Sequence, residues 1–238
     1  WWPVKKSRTN NIFKVTTPES YYQLLQAWES GESLSAEQTY HAVMEYSKAH
    51  RHENTTVAPD VIYALINNED PTATKAYRHH GVDQWIPFVD YDLGRDGYAY
   101  EDRLSQNIHD EQGQWKVWNE GRKYRNDGVD IGGSAGGYFV SWTEPGEWLQ
   151  YTIQVPQAGE FKLELETKGA ASRLRMEIND EIKNDEIAIK TGSENSPGEW
   201  ATTTVNGIEL STGELKIRFH IQEGAPDLRA FRLVSGLE

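Results

Sequence analysis

The chain has 238 residues, a net charge of −13 and no cysteine. The negative charge disfavours nucleic acid, membrane surfaces and strongly anionic glycans as partners, whereas a neutral sugar is indifferent to it. Without cysteine there are no disulfides, thiolate metal sites or cysteine nucleophiles. Aromatic residues reach 11% of the chain, which indicates a folded protein rather than a disordered one.

Residues 1–70 are predicted to be mainly α-helical. Pro18 suits the first position of one helix, and residues 35–38 read Ser-Ala-Glu-Gln, a capping box that begins a second helix. A third, short helix is expected to begin at Pro59. The apolar stripes at helical spacing consist of Tyr21, Leu24, Leu25 and Trp28 in the first helix and Tyr40, Val43 and Met44 in the second.

Residues 71–84 form a polar string without a period and are predicted to be a linker. Behind them, turn residues separate runs with a period of two, the pattern of half-buried antiparallel strands. Many short strands without intervening helices close into a sandwich or barrel. The fold class is therefore predicted to be mainly β, with a jelly-roll β-sandwich over residues 85–235 and a tag remnant over 236–238. The predicted strands are 148–155, 161–166, 174–178, 208–210, 215–221 and 228–234.

Two neighbouring stretches carry the most specific pattern of the sequence. Residues 124–131 read Tyr-Arg-Asn-Asp-Gly-Val-Asp-Ile, and residues 136–151 contain Gly-Gly-Tyr followed by Trp-Thr-Glu-Pro-Gly-Glu-Trp-Leu-Gln-Tyr. This pattern resembles the signature of carbohydrate-binding module family 6, and the resemblance extends over residues 85–234. It implies a jelly roll that binds polysaccharide or oligosaccharide.

The resemblance also implies a sugar cleft on the loops at one end of the sandwich. The apolar face of a sugar ring stacks on aromatic planes, and its hydroxyls need planar polar partners. Carried over by motif, the two facing walls are Tyr124 and Trp200. The polar partner is Asp227, where Asn is usual, so it accepts hydrogen bonds but donates none. Trp115 and Trp118 either extend the cleft or cover the edge of the sandwich.

Members of this family often hold a structural calcium ion with alternating Glu residues near the start of the domain. Non-ligating residues occupy those positions here. The candidate calcium ligands are therefore the nearby Asp90 and Asp92, whose carboxylates are hard oxygen donors. No cofactor is required for binding sugar.

Other polar and aromatic residues receive structural interpretations. His79 and His80 in the linker are interpreted as a solvated pair rather than a metal site. Trp142 and Trp148 are expected to pack in the core or in a hairpin. The acidic residues within 180–186 are interpreted as a solvated turn.

The helical segment, from Trp1 and Trp2 through two capped helices, resembles the last β/α unit of a (β/α)8 glycoside hydrolase of the cellulase-like family 5. Catalytic carboxylates of such barrels lie on other strands, so this chain alone is not expected to be an enzyme. Together the resemblances imply non-catalytic binding that targets a covalently attached, secreted or cell-surface bacterial hydrolase to a neutral polysaccharide such as a β-glucan or xylan. The alternatives are a helical segment that completes a hydrolase active site, and a cell-surface protein-interaction domain.

Overall fold

A computed structural model describes residues 12–66, 70–104, 106–134, 137–189 and 198–236. The chain divides into two compact units, Trp1–Ile62 and Tyr63–Glu238. Among the described residues, every helix is too short or too polar to span a bilayer.

The described part of the first unit is helical, as the sequence predicts, with one short ribbon of two antiparallel strands. The capping box is confirmed, because the Gln38 amide donates to Ser35 Oγ at 3.1 Å and the Ser35 amide donates to Gln38 Oε1 at 3.0 Å. The helices and strands are α1 (Glu19–Ser30), α2 (Ala36–Ala49), α3 (Pro59–Ile66), β1 (Phe13–Lys14) and β2 (Thr56–Val57).

Helices α1 and α2 do not bury the whole of their apolar stripes. The Tyr21 and Tyr46 rings stack between the helices with centroids 3.9 Å apart, and Ala42 is buried. Trp28 is 80% exposed and Tyr40 is 68% exposed, although both belong to the stripes seen in the sequence. The helical period therefore identified the helices but not the faces that they bury.

The second unit is a β-sandwich, so the predicted fold class is confirmed. Every predicted strand lies within an observed one. The strands are β3 (His80–Gly81), β4 (Ile86–Pro87), β5 (Tyr100–Glu101), β6 (Ile108–His109), β7 (Trp115–Lys116), β8 (Ile131–Ser134), β9 (Gly137–Val140), β10 (Trp148–Val155), β11 (Gly159–Lys168), β12 (Ser172–Ile178), β13 (Glu181–Ile189), β14 (Ala201–Leu210), β15 (Gly213–Glu223) and β16 (Asp227–Ser235).

These strands form two sheets and a ribbon in the described residues. One sheet has the order β13-β12-β15-β10-β3, with β5 also on β10, and the other has the order β14-β11-β16-β9-β8, with β4 on β16. Strands β6 and β7 form a separate ribbon.

The core between the two sheets is built around aromatic rings. Phe88, Tyr151, Phe219 and Phe231 are almost completely buried and contact one another at centroid distances of 4.8 to 6.1 Å. Several of these contacts are edge-to-face, the arrangement that the ring quadrupole favours. The aromatic content of the sequence thus serves the core of this unit as well as its surface.

The segment predicted to be a linker contributes to the sandwich instead. Strand β3 pairs in parallel with β10, and Lys75 forms a β-bridge with Leu93. His80, interpreted as solvated, is 7% exposed, and its Nε2 lies 3.2 Å from the carbonyl oxygen of Asp90. A strand of two residues is too short to produce a period of two, so the sequence pattern did not reveal it.

Two further interpretations are corrected in part by the structure. The acidic residues within 180–186 are exposed and adjoin the β12–β13 hairpin, as predicted, but most of them lie on the edge strand β13 rather than in a turn. Trp142 is not a core residue, because its side chain is 53% exposed and its backbone has a φ of 52°. Trp148 is half-buried, with the Arg218 guanidinium 4.8 Å from its ring centroid.

Candidate functional site

A cleft of about 460 Å³ opens on the second sheet, and we call it the Tyr138 cleft. Pro87 of β4 and Glu166 of β11 both pair with Ala230 of β16, so these three residues form its floor. The register of β11 and β16 shifts next to Glu166, which makes Arg229 the extra residue of a bulge. The principal lining side chains are Trp85, Tyr124, Tyr138, Glu166 and Arg229.

Tyr124 is held at the cleft by its neighbours. Its hydroxyl donates to Asp90 Oδ1 and accepts from Arg78 Nη2 at 3.1 Å, and its ring lies 5.1 Å from that of Tyr138. Burial raises the pKa of the Tyr124 hydroxyl, and the bond to the Asp90 carboxylate raises it further. The backbone of Tyr124 has a φ of 61°, a conformation that costs a residue with a side chain about 1–3 kcal/mol. Such outliers are concentrated at ligand sites.

The loop that carries Tyr124 is fixed by the next residue, Arg125, which is 1% exposed. Its guanidinium forms an ion pair with Asp127 at 2.7 Å and donates to the Asp92 carbonyl at 3.1 Å. It also lies 3.6 Å from the ring centroid of Tyr91 and 4.7 Å from that of Tyr77. A buried charge that is paired and stacked in this way orders the loop around it.

Trp200 and Asp227 lie in a second group, which we call the Trp200 cluster. The Trp200 ring packs edge-on against Phe139, with centroids 5.2 Å apart. Asp227 accepts from Ser141 Oγ at 2.5 Å and pairs with Lys168 Nζ at 3.0 Å. Lys168 Nζ is in turn 5.0 Å from the centroid of Trp200.

The structure gives the two predicted walls, Tyr124 and Trp200, different neighbours. Trp200 is not among the lining residues of the Tyr138 cleft. The link between the two places is Arg229, which lines the cleft and lies 5.5 Å from the Trp200 ring centroid. The roles of Tyr124, Trp200 and Asp227 as sugar contacts remain predictions.

The other two predicted tryptophans lie outside this cleft. Trp115, on β7, is 55% exposed and packs against His109 with centroids 4.8 Å apart. Trp118 is half-buried, and its backbone amide donates to Asn107 Oδ1 at 3.0 Å. Neither lines the Tyr138 cleft, and their assignment to sugar binding also remains a prediction.

Asp90 and Asp92, the candidate calcium ligands, point at protein donors. Asp90 pairs with Arg78 at 3.3 Å and accepts from Tyr124. Asp92 accepts from Thr152 Oγ1 at 2.7 Å and from Gln150 Nε2 at 2.9 Å. A calcium ion needs several oxygen ligands without a neighbouring cation, so this arrangement does not fit one. Within the described ranges, no group of three His, Cys, Asp or Glu side chains is placed to hold a metal.

Sequence reasoning missed four of the principal lining residues of the Tyr138 cleft, namely Trp85, Tyr138, Glu166 and Arg229. Tyr138 stands in the Gly-Gly-Tyr motif, so its position in the signature was a signal that could have found it. Trp85 lay at the predicted domain boundary. Arg229 follows the buried Leu228 and faces outward by alternation, but the bulge that places it beside Ala230 is not revealed by a strand pattern.

Comparison with known proteins finds one matching family model, and the match lies in the second unit. Residues 125–233 match the family model described as carbohydrate binding module (family 35). The second unit therefore carries a carbohydrate-binding module. The sequence motif resembles family 6, whereas the matching model is that of family 35. No curated protein matches the chain.

Several solved structures are similar to this module at low sequence identity. One is a family 6 module from Clostridium stercorarium in complex with cellobiose, with 12% identity over 67% of this chain and 98% of that chain, and a TM-score of 0.43. Another is a module of Cellvibrio mixtus lichenase 5A in complex with cellotriose, with 18% identity over 66% and 99% and a TM-score of 0.42. A third is a family 35 module from Clostridium thermocellum, with 18% identity over 45% and 88% and a TM-score of 0.37.

Proposed function

We propose that the chain binds a neutral polysaccharide such as a β-glucan or xylan, without catalysis, through the Tyr138 cleft and the adjoining Trp200 cluster. The observation that carries this proposal is the cleft itself. It places the rings of Trp85, Tyr124 and Tyr138 beside the charged side chains of Glu166 and Arg229. Aromatic planes next to hydrogen-bonding groups are what the two faces of a sugar ring require.

The charges at the site favour a neutral sugar. Arg229 pairs with Glu166 at 3.8 Å, and Lys168 pairs with Asp227 at 3.0 Å. Each pair offers donors and acceptors to hydroxyl groups while its formal charges cancel. A carboxylated sugar would gain little there, because each cation already has an anion beside it.

The lining of the cleft supports binding rather than hydrolysis. Glycoside hydrolysis uses two carboxyl groups that flank one bond, roughly 5 to 9.5 Å apart. Glu166 is the one acid among the described lining residues of the Tyr138 cleft. Asp102 and Glu147, whose pKa values burial raises to about 8 and about 7, do not line it. We expect no release of reducing sugar from glucan, xylan or mannan.

The wider proposal is that binding holds a covalently attached hydrolase on its substrate, outside the cell or at its surface. Its support is the resemblance of the helical segment, with its two capped helices, to the last β/α unit of a family 5 barrel. Binding raises the local concentration of substrate for the attached domain. The family 5 assignment, the attached domain and the secretion are parts of this proposal.

Calorimetric titration of the whole chain with cellohexaose, laminarihexaose and xylohexaose tests the binding site. Tyr138→Ala and Trp200→Ala are each expected to weaken binding at least about tenfold, because each loses aromatic stacking and ring burial. Tyr124→Ala is expected to weaken it similarly. Asp227→Ala is expected to cost about 1.5–3 kcal/mol, the value of one hydrogen bond to a charged group.

The matched control is Tyr98→Ala, which removes an aromatic side chain that is 42% exposed and does not line the cleft. It should bind like wild type. If Tyr138→Ala and Trp200→Ala stayed folded and bound all three sugars normally, the site would be wrong. If no hexaose bound to wild type, binding of these neutral glycans would be refuted.

A further inference from the structure

The segment that the sequence presented as a linker is attached to the sandwich on both sides of Tyr77 and Arg78. On one side, the Lys75 amide donates to the Leu93 carbonyl at 2.9 Å, and the Leu93 amide donates to the Lys75 carbonyl at 2.7 Å. On the other side, His80 belongs to strand β3, which pairs with β10. Tyr77 and Arg78 therefore lie on a short stretch whose two ends are held by the sheets.

Both residues of this stretch contact Tyr124, a wall of the Tyr138 cleft. The Tyr77 ring lies 6.0 Å from the Tyr124 ring, and Arg78 Nη2 donates to the Tyr124 hydroxyl at 3.1 Å. These contacts come from outside residues 125–233, the range matched to the family model. They also come from outside residues 85–235, the range that the sequence predicts for the sandwich.

Arg78 and Tyr124 share a buried carboxylate. The Tyr124 hydroxyl donates to Asp90 Oδ1, and Arg78 Nε lies 3.3 Å from Asp90 Oδ2. The Asp90 side chain is 5% exposed, whereas the Arg78 side chain is 60% exposed. A buried carboxylate is stable only with a cation and hydrogen-bond donors beside it, so Asp90 stabilises the observed positions of both partners. The three side chains form one closed network.

This network determines what Tyr124 offers to a ligand. Its hydroxyl donates to Asp90 and accepts from Arg78, so the ring is the part that is offered to a sugar. The backbone φ of Tyr124 is 61°, a conformation that residues with a side chain rarely adopt, so its position depends on its neighbours. A ring that occupies the binding position for only part of the time lowers the apparent affinity in proportion.

We propose that Arg78 is a positioning residue of the Tyr138 cleft, which acts through the Tyr124 hydroxyl and holds the Tyr124 ring where it stacks on the sugar. The sugar in this proposal rests on the proposed function, whereas the hold on Tyr124 in the free protein does not. The working site then includes the stretch 75–80, which lies ahead of the range matched to the family.

A double-mutant cycle tests the route through the hydroxyl. The whole chain is titrated calorimetrically with cellohexaose, laminarihexaose and xylohexaose. Arg78→Ala is expected to weaken binding of the preferred sugar about fivefold, roughly the value of one hydrogen bond, and Tyr124→Phe at least as much. The double variant is expected to lose no more than Tyr124→Phe alone, since both changes break the same contact. Losses that multiply would overturn action through this hydroxyl.

Two further variants separate positioning from a general effect of charge. Arg78→Lys keeps a cation and a donor, and it is expected to recover part of the affinity lost in Arg78→Ala. The matched control is Lys75→Ala, which removes a cation from the same stretch but keeps the backbone bonds to Leu93. It should bind like wild type. Equal losses in Lys75→Ala and Arg78→Ala would reflect charge alone and overturn the positioning role.

A measurement without sugar separates this proposal from the proposed function. Amide hydrogen exchange of residues 122–126 in the free chain is expected to be faster in Arg78→Ala than in wild type, and unchanged in Lys75→Ala. Unchanged exchange in Arg78→Ala overturns the positioning role. Unchanged sugar binding by Arg78→Ala, with weak binding by Tyr138→Ala, also overturns it and leaves the proposed function standing. Faster exchange in a chain that binds no hexaose supports the hold of Arg78 on Tyr124 and refutes the proposed function instead.

Discussion

The two units of the chain differ in how they use apolar side chains. In the sandwich unit, inward-facing residues of both sheets form one core that includes Phe88, Tyr151 and Phe231. In the described part of the helical unit, the buried apolar residues are alanines, and Trp28 and Tyr40 face solvent. Both units carry apolar residues at the spacing of their helices or strands. In the described residues, this spacing produces a large buried core in the sandwich but not in the helical unit.

This contrast shows that the spacing of apolar residues identifies a helix or strand but does not by itself tell which of those residues are buried. A strand in a sandwich has a facing sheet that covers its apolar side, so its period predicts its burial. A helix in a small unit can pack through alanines and stacked tyrosines, as α1 and α2 do, and leave the rest of its stripe exposed. The sandwich is therefore expected to supply the stability, and the helical unit to depend on the rest of the chain.

The largest expected effect is on the helical unit in isolation. Residues 1–66, which keep α3 whole, are predicted to show no cooperative melt when expressed alone, because the buried apolar residues in the described part of this unit are alanines, whose burial gains little on folding. Circular dichroism during heating measures this directly. The control is the whole chain, which should melt cooperatively. A melt of the fragment as sharp as that of the whole chain would show that the helical unit has a sufficient core of its own.

Phe231→Ala is expected to have the next largest effect. Phe231 is 0% exposed and contacts three other buried rings. Removing a buried phenylalanine costs about 3–5 kcal/mol through lost burial and the cavity left behind. Urea denaturation of the whole chain checks the value. A loss below about 1 kcal/mol would contradict the view that this core dominates stability.

The fold could be predicted from the sequence wherever an element was long enough to display its period. Strand β10 was predicted at its observed bounds, and the capping box correctly located the start of α2. Strand β3 has two residues and was assigned to a linker. Strand β13 was missed because its exposed first part gives no alternation. Short and edge strands are defined by their partners, which a single sequence does not display.

The candidate site was predictable only in part. The family resemblance singled out Tyr124 and Trp200, but not which rings contact which. Tyr138 and Phe139 are consecutive in the sequence, and yet the first contacts Tyr124 and the second contacts Trp200. Arg229, which links these two places, is the extra residue of a bulge. Such details depend on the pairing of β11 with β16, which a motif does not encode.

A smaller effect is expected from pH, and it acts on the sandwich. Burial raises the pKa of Asp102 to about 8, and the negative charge of the nearby Glu147 raises it further. Burial also raises the pKa of Glu147 itself, to about 7. The folded state therefore holds these protons more tightly than the unfolded state, in which a carboxyl titrates near pH 4. Stability should be highest near pH 4 with respect to these groups, fall as the pH rises, and become level above about pH 8.

Asp102→Asn should isolate this effect, because the asparagine side chain stays neutral at every pH. Its oxygen can still accept the hydrogen bond that the Leu104 backbone N–H donates to Asp102 Oδ1 at 3.0 Å. The Tm of the variant should equal that of wild type near pH 4 and exceed it increasingly up to about pH 8. The control is Asp185→Asn, an exposed position on β13, which should follow the wild-type curve. A constant difference between Asp102→Asn and wild type at every pH would refute the role of burial.

The smallest expected effect is that of Trp28→Ala, and it tests the helical side of the comparison most directly. Tryptophan in a core contributes several kcal/mol, but Trp28 is 80% exposed on α1. A surface substitution of this kind should change the free energy of unfolding by less than about 0.5 kcal/mol, and alanine favours the helix slightly. Urea denaturation of the whole chain measures it, with Phe231→Ala as the reference for a buried ring. A loss above about 1 kcal/mol would mean that the ring is buried in solution, and the contrast between the two units would then be smaller than their exposed surfaces indicate.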